Sequence, residues 1–519
     1  MRPVLTAEEM RRVDARAVAD LGIPGPTLME NAGRGAAEAL VAALPERGLR
    51  ARGLRVAIVC GRGGNGGDGF VVARRLKRAG ARPDVLLAGP PDALRGDAAL
   101  KYQEMRRAGI AARVVEDAAA ATPALGRADV IVDALLGTGA RGAPAPLVAA
   151  LIEAINASGR PVVALDVPSG LPADGGAPEG PAVRAWLTPT FAAPKLGLVL
   201  GPGVELAGRV SIVPIGVPDA EVARDATAFV LEAADVAPLF PRRPRDVHKG
   251  TYGHLLVIAG SVGKTGAAAL CARAALRSGV GLVTVGSAAS AQPTVAALSL
   301  EAMTEPLPET GARTVAMKAR EPIVALAEAR AALAIGPGLG LDDETRALAR
   351  VLVATLPRPM VVDADALTSL ADHLDVLRDV RAPRVLTPHP GEMARLIGAS
   401  VADVQRDRLG VARAFAITHG VHLVLKGART LIAQPDGRVL INPTGNAGMA
   451  KGGTGDVLTG ILGALLARGI DVARAVPAGV YLHGLAGDVA AGRGGEEALI
   501  ASDVIEALGE AFRRLADER

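Results

Sequence analysis

The sequence predicts an α/β protein built from two layered domains. Three observations carry this reading. Short apolar runs alternate with longer amphipathic stretches along the chain. Glycine-rich loops follow several of the apolar runs. The alternation breaks once, between residues 218 and 248, where prolines and charges cluster.

In the first half the strand-like runs are 55–60, 84–88, 129–133 and 161–166, with two more near Thr190 and Val210. They are near-continuous Val, Ile and Leu, as strands buried on both faces of a parallel sheet require. Segments 70–79 and 145–156 have helical spacing between them. The break near residue 220 gives domains 1–220 and 221–519. The alternation then restarts at 254–259. It continues at 281–285, 331–335, 359–362, 384–387 and 421–425. Helical patterns at 456–467, 472–491 and 502–515 close the chain. No short-period repeat suggests a solenoid.

Composition removes several function classes. Half of the 519 residues are hydrophobic and 22% are charged, which is globular. The 63 glycines and 36 prolines stay below the ~25–30% typical of low-complexity chains. Cys60 and Cys271 are the only cysteines, so a disulfide framework is excluded and a reducing compartment is allowed. A net charge of +4 and 2% aromatics point away from a nucleic-acid partner. No 18-residue apolar span and no signal-like N-terminus is present, so we expect a cytoplasmic protein with no membrane partner. A homo-oligomer is expected.

The run RVAIVC leads into GRGGNGGDG, residues 61–69, and then a helix. Gly61, Gly63 and Gly66 match G-x-G-x-x-G, whose glycines let backbone N–H groups approach phosphate at a helix N-terminus. A tight packing turn is the alternative. Two features depart from a dinucleotide fingerprint. The next strand ends in AGPPD without the expected acidic residue, and the loop carries Asn65 and Asp68. VIVDALLGTGARG puts Asp133 at a strand end, and VVALDVPSG does the same for Asp166 and Ser169. Ligands of open α/β sheets sit outside the carboxyl ends of the strands, so these residues are expected to share one crevice. Their oxygen donors suit a simple cation, and one carboxylate is little charge for a divalent ion.

In the second half, IAGSVGKTGAAAL tempts a phosphate-loop reading. That motif needs glycine five residues before Gly263, where Ile258 stands. A loop that lets the backbone approach a flat ligand fits better. AIGPGLG, VVDADAL (Asp363, Asp365), VLTPHPGE (His389, Glu392) and VLKGART (Lys426, Thr430) follow further strand-like runs. NAGMAKGGTGDVLTG is the strongest motif. Gly452, Gly453, Thr454 and Gly455 open a helix with Asp456 in its first turn. N–H groups there stabilise developing phosphate charge, and the Asp can take a hydroxyl proton as general base. A plain helix cap is the alternative.

GRGGNGGDG, VDALLGTGARG and LDVPSG, in this order, resemble the N-terminal domain of the bifunctional NAD(P)H-hydrate repair enzymes. The resemblance implies a Rossmann-like three-layer epimerase domain over about 1–217. It assigns substrate contacts to Gly64, Asn65, Gly66, Gly67 and Asp68, to Gly137, Thr138, Gly139, Ala140, Arg141, Gly142 and Ala143, and to Asp166 as proton shuttle. It assigns K+ to Asn65, Asp133 and Ser169. The family loop usually reads NNGGD, and here its first Asn is Gly64. HKGTYGHLLVIAGS, GPGLG, DADAL, TPHPGE and GGTGDVLTG resemble the family's ADP-dependent dehydratase domain, similar to the ribokinase-like α/β fold, over about 225–519. The resemblance assigns Ala267, Gly338, His389 and Asp456 to the hydrate. It assigns Lys426, Gly427, Ala428, Arg429, Thr430 and Gly455 to the nucleotide. Lys451 stands where the family often has a small residue.

The resemblance implies an isomerase and lyase that repair hydrated NADH and NADPH. One activity interconverts the R and S hydrates. The other dehydrates the S hydrate with ADP as co-substrate, releasing AMP and phosphate. Phosphoryl transfer implies Mg2+, for which Asp363 and Glu392 are candidate ligands. Two other readings stay open at this stage: a small-molecule kinase with a regulatory N-terminal domain, and a non-enzymatic N-terminal binding module.

Overall fold

The computed structural model describes residues 1–518. It separates into two compact units, Pro3–Thr227 and Ala228 to the C-terminus, with Met1 and Arg2 grouped with the latter. Among the described residues, no helix is long and apolar enough to cross a membrane.

The first unit is a seven-stranded sheet. Its order is Ala112–Val115, Arg82–Ala88, Arg55–Cys60, Val130–Ala134, Val162–Ala164, Leu187–Phe191 and Arg209–Val213. All neighbours are parallel. The chain starts in Arg55–Cys60, moves outward twice, then returns to the other side of that strand. This reversal is the topological switch point at which doubly wound sheets open a crevice. GRGGNGGDG and the loop after Asp133 leave the two strands that flank it. Helices Gly25–Ala43 and Gly64–Arg78 cover one face through Leu28, Ala36, Leu40, Phe70 and Leu76. Helix Pro146–Ala157 packs on the other through Leu151, Ile152 and Ile155.

The second unit holds an eleven-stranded sheet. Met303–Leu307, Leu282–Ala288, His254–Ile258, Ala332–Ile335, Met360–Val362, Arg384–Leu386 and His422–Leu425 are successive parallel neighbours. Leu431–Ala433 and Val439–Ile441 then add antiparallel, Ala228–Val230 pairs parallel to the latter, and Arg2–Val4 is outermost. Helices Thr265–Arg277, Thr454–Ala467, Val472–Gly494 and Ala501–Asp517 share one apolar cluster with the central strands.

The parallel α/β alternation expected from the sequence is present. Two local expectations differ. The helix after the first glycine loop begins at Gly64, not at residue 70. Glycines hid it from apolar periodicity, yet they are required: a Cβ on Gly66 would stand 2.0 Å from the Gly61 carbonyl oxygen. Short strands at Ala112–Val115, Met303–Leu307, Leu431–Ala433 and Val439–Ile441 carried too few apolar residues, or too little length, to stand out. The proline-rich stretch after residue 218 leads into Ala228–Val230, which registers against Val439–Ile441.

Helices Thr265–Arg277 and Thr454–Ala467 make close contact at Gly460, where a Cβ would stand 2.1 Å from the Cys271 carbonyl oxygen. Gly460→Ala is therefore expected to destabilise the second unit by ~1–3 kcal/mol, although alanine is the better helix former. An unchanged thermal or urea transition would contradict this packing.

Candidate active sites

The first unit carries a cleft of about 1050 Å³ at its switch point. Gly64, Asn65 and Asp68 line it from the start of helix Gly64–Arg78. The whole 137–143 loop faces it, and Asp166 and Lys195 meet it from below. Gly66 and Gly67 are buried in the same helical turn, where their backbone rather than a side chain faces the loop. Nothing lies within 4 Å of a Cβ built on Gly64, so the position has room for a side chain.

Asp166 sits in the left-handed region at φ 63°, a conformation a non-glycine residue holds only when its surroundings impose it. The surroundings are specific. Its Oδ1 accepts from Lys195 Nζ at 2.5 Å, the Phe191 amide at 3.0 Å and Thr190 Oγ1 at 3.2 Å. Lys195 is fully buried and also donates to the Phe191 carbonyl at 2.8 Å. Asp14, on helix Ala7–Ala19, lines the same cleft. Burial pushes its carboxyl up to about 6; Asp166 adds to the rise and Lys195 opposes it. Burial likewise pushes Asp68 well above the usual carboxylate range, with Asp166 and Asp14 adding.

Beneath this floor Asp133, Ser169 and Asn65 meet. Ser169 Oγ donates to Asp133 Oδ1 at 2.6 Å, and the Ser169 amide donates to Oδ2 at 2.8 Å. Asn65 Nδ2 donates to the Leu136 carbonyl at 2.6 Å. Burial pushes the Asp133 carboxyl up to about 6, against the lowering effect of hydrogen bonds from Ser169 and Leu135. Asn65 Oδ1 is buried without any hydrogen-bond partner. Asn65 and Ser169 share the Leu136 carbonyl, and an oxygen orphaned among the described residues and a desolvated carboxylate are each relieved by a cation. The donor set of one carboxylate, one amide and one hydroxyl thus fits a monovalent ion.

The second unit has a cleft of about 440 Å³ lined by Gly263, Lys264, Ala267, Gly338, Gly453 and Asp456, among others. Gly453 takes φ 94° and helix Thr454–Ala467 begins directly after it. Burial, then the nearby Asp363 carboxylate, pushes Asp456 up to about 7; Asp365 and Glu392 add, and Lys426 opposes. A carboxyl balanced near neutrality is what general-base work requires. Lys264 reaches across the cleft to Asp365 Oδ2 at 3.1 Å, and the Gly340 amide donates to that oxygen at 2.8 Å.

Lys426 follows strand His422–Leu425 and points back under the Thr454 turn, since a Cβ on Gly455 would stand 3.4 Å from its Nζ. Burial works against its charge, but Asp363 and Glu392 hold its pKa above the usual lysine value. The rest of its loop, Gly427 to Thr430, is braced by Arg408 on the Ala428 carbonyl at 2.7 Å and by Thr430 Oγ1 on the Gly427 carbonyl at 2.9 Å. Arg429 reaches the Pro443 carbonyl at 3.2 Å. His389 does not line the cleft. Its Nδ1 accepts from the Gly391 and Glu392 amides and caps helix Pro390–Ile397. The rest of its ring is largely exposed. Lys451 Nζ donates to the Glu497 carbonyl at 2.5 Å.

The expectation that Asp363 and Glu392 hold Mg2+ does not survive. Both Asp363 oxygens are taken: Oδ1 accepts from Lys426 Nζ at 2.9 Å and Thr387 Oγ1 at 2.8 Å, and Oδ2 from Thr459 Oγ1 at 2.7 Å. Glu392 Oε2 accepts the His389 amide at 2.7 Å. Among the described residues no three carboxylate, histidine or cysteine groups gather for a metal. Reading motifs alone also missed Asp14, Lys195 and Lys264. Lys195 had a signal, as the only charged residue between Arg184 and Glu205 in an otherwise apolar stretch. Asp14 had one too, falling four residues after Met10 on the helix's buried side.

Two family models match the chain. One is described as YjeF-related protein N-terminus, over residues 25–197, and the other as NAD(P)H-hydrate dehydratase, over residues 255–509. The bifunctional NAD(P)H-hydrate repair enzyme Nnr of Moorella thermoacetica is 44% identical over 99% of this chain and 97% of its own length. That of Thermofilum pendens is 41% identical over 99% and 97%. A crystal structure of the ADP/ATP-dependent NAD(P)H-hydrate dehydratase of Bacillus subtilis, co-crystallised with ATP/Mg2+, is 32% identical. It covers 55% of this chain and 98% of its own, with a TM-score of 0.49. With such identity sustained from end to end, the chain belongs to the bifunctional NAD(P)H-hydrate repair enzyme family.

Proposed function

We propose that the chain repairs hydrated NADH and NADPH. The first unit interconverts the R and S hydrates, and the second dehydrates the S hydrate with ADP as co-substrate. The observation that carries the reading is Asp456, a carboxyl raised to about 7 at a glycine-rich helix start inside a cleft.

The hydrate bears a hydroxyl on the ring carbon beside nitrogen, and hydroxide is a poor leaving group. Asp456 takes the hydroxyl proton, and the oxygen attacks the terminal phosphorus of ADP as the bond to AMP breaks. Unpaired N–H groups at the start of helix Thr454–Ala467 meet the developing charge. Lys426 supports the same turn from below, and its loop through Thr430, with Gly455, receives the nucleotide. The ring nitrogen's electron pair then expels phosphate. Loss of a proton from the neighbouring carbon restores the dihydronicotinamide. Ala267, Gly338 and His389 are assigned to the hydrate. Mg2+, when bound with the nucleotide, would supply positive charge that offsets the phosphate charge.

In the first unit, Gly64 to Asp68 and the 137–143 loop bracket the substrate's phosphates, and Asp166 moves the proton. Asn65, Asp133 and Ser169 would hold K+, which would supply fixed positive charge to the site. The reading includes a cytoplasmic location, in keeping with two buried free cysteines. It also includes homo-oligomeric assembly, which light scattering measures.

Asp456→Asn is expected to lower dehydration by ~10²–10⁴-fold with nucleotide binding intact. In the wild type, the rate should fall as pH drops through about 7, because a protonated Asp456 cannot accept the hydroxyl proton. Near-normal turnover of the variant, or a rate flat from pH 8 to 6, sinks the assignment.

Asp133 provides a second check. Burial raises its folded-state pKa to about 6, above the usual carboxylate range. The stability it contributes is therefore present at low pH and lost as pH rises through about 6. A bound cation offsets that loss. K+ should raise the melting temperature of the first unit at pH 8, progressively less below pH 6, and not at all in Asp133→Ala. The same variant should slow epimerisation and spare dehydration of the S hydrate. Equal loss of both activities would make Asp133 structural.

A further inference from the structure

The cleft of the first unit contains more proton-handling machinery than one aspartate. Helix Ala7–Ala19 is fixed at its start by a capping box between Thr6 and Glu9, and Asp174 accepts the Ala7 amide at 2.6 Å. This sets Met10, Asp14 and Val18, four residues apart, along the cleft wall. Met10 is buried, so the helix cannot turn to free Asp14 without exposing it. Asp14 itself makes no hydrogen bond or ion pair to another described residue, whereas Asp166 is held by three donors on one oxygen. Those donors leave Asp166 Oδ2 without a protein partner, so the cleft offers one anchored carboxylate oxygen and one unanchored carboxyl.

We propose that Asp14 is a second catalytic residue of the epimerase site, the proton donor that works opposite Asp166, with buried Lys195 as the residue that positions Asp166. The inference rests on the epimerase reading above.

The chemistry needs two groups in opposite protonation states. The epimeric carbon bears both the hydroxyl and the ring nitrogen. Asp166 removes the hydroxyl proton, the carbon–oxygen double bond forms, and the carbon–nitrogen bond breaks. The electron pair returns to nitrogen, which takes a proton from the Asp14 carboxyl. Rotation of the resulting aldehyde presents its other face. Nitrogen attacks it, returns its proton to Asp14, and oxygen recovers its proton from Asp166. No atom or electron is gained or lost, and both carboxyls end as they began.

The surroundings separate the two groups. Charged groups that act on Asp14 are Lys195 and Asp166, and Asp68 is coupled to it from the facing helix. Of the two carboxyls, Asp166 is the one bonded to the Lys195 ammonium. Burial keeps Asp14 partly protonated near neutrality, as a general acid must be. Asp68 is the competing acid, which the test separates.

The measurement is epimerisation of purified R hydrate by the full chain, between pH 5.5 and 9. Asp14→Asn is expected to reduce kcat by ~10²–10⁴-fold with KM within about threefold, to abolish the fall in kcat on the alkaline side, and to spare S-hydrate dehydration. Asp14→Glu should recover at least tenfold over Asn. Lys195→Met should reduce kcat, and the alkaline fall should persist. Asp14→Asn with kcat within tenfold of wild type, or with raised KM alone, overturns the proposal. So does a rescue by Asp14→Glu that fails while both variants melt like wild type, or an Asp68→Asn variant that alone abolishes the alkaline fall. If the wild type itself does not epimerise, the epimerase reading fails instead.

Discussion

The carboxylate of Asp363 is the point on which the second unit's chemistry depends. It lies at the end of a central parallel strand and is 1% exposed. Its partners come from three separate elements: Thr387 after the next strand, Lys426 after the one beyond, and Thr459 inside helix Thr454–Ala467. A buried carboxylate is tolerated only when its lone pairs are this fully used. The same bonds fix the helix start and the ammonium beneath it, and thus where Asp456 stands. Asp363 also raises the Asp456 carboxyl while Lys426 lowers it. Burial raises Asp456 most, and one ion pair both fixes its position and adjusts its balance near neutrality.

The first unit uses the same device for a different end. A buried lysine holds an aspartate at a strand end, and the aspartate pays for this with a left-handed backbone. Here the pair lies in the floor of the cleft rather than behind an anion-binding turn. In both units the lysine is unavailable as a free surface charge. Its work is to hold a carboxylate stationary where substrate chemistry needs a defined oxygen.

Much of this was legible in the sequence. Continuous Val/Ile/Leu runs located the central strands, because burial on both faces leaves no alternation to misread. GRGGNGGDG and GGTGDVLTG marked the two helix starts, since only small residues let the backbone approach a ligand there. What stayed hidden depended on distant partners. Lys195 announced itself only as a charge in an apolar stretch, and its meaning needed the left-handed Asp166 beside it. Asp363 read as a metal ligand because sequence shows the carboxylate but not the three donors that occupy it. For His389 the sequence showed a candidate ligand contact but not that its Nδ1 also caps its own helix. Short strands such as Val439–Ile441 were too brief to register and became visible only through pairing with Ala228–Val230.

The most direct measurement is the return of dihydronicotinamide absorbance when the full chain meets a mixture of both NADH hydrates with ADP. The account predicts recovery of the whole mixture, faster than the epimers interconvert unaided, with one AMP and one phosphate formed per NADH. Nucleotide turnover without NADH, or recovery that halts when the S hydrate is consumed, would contradict it.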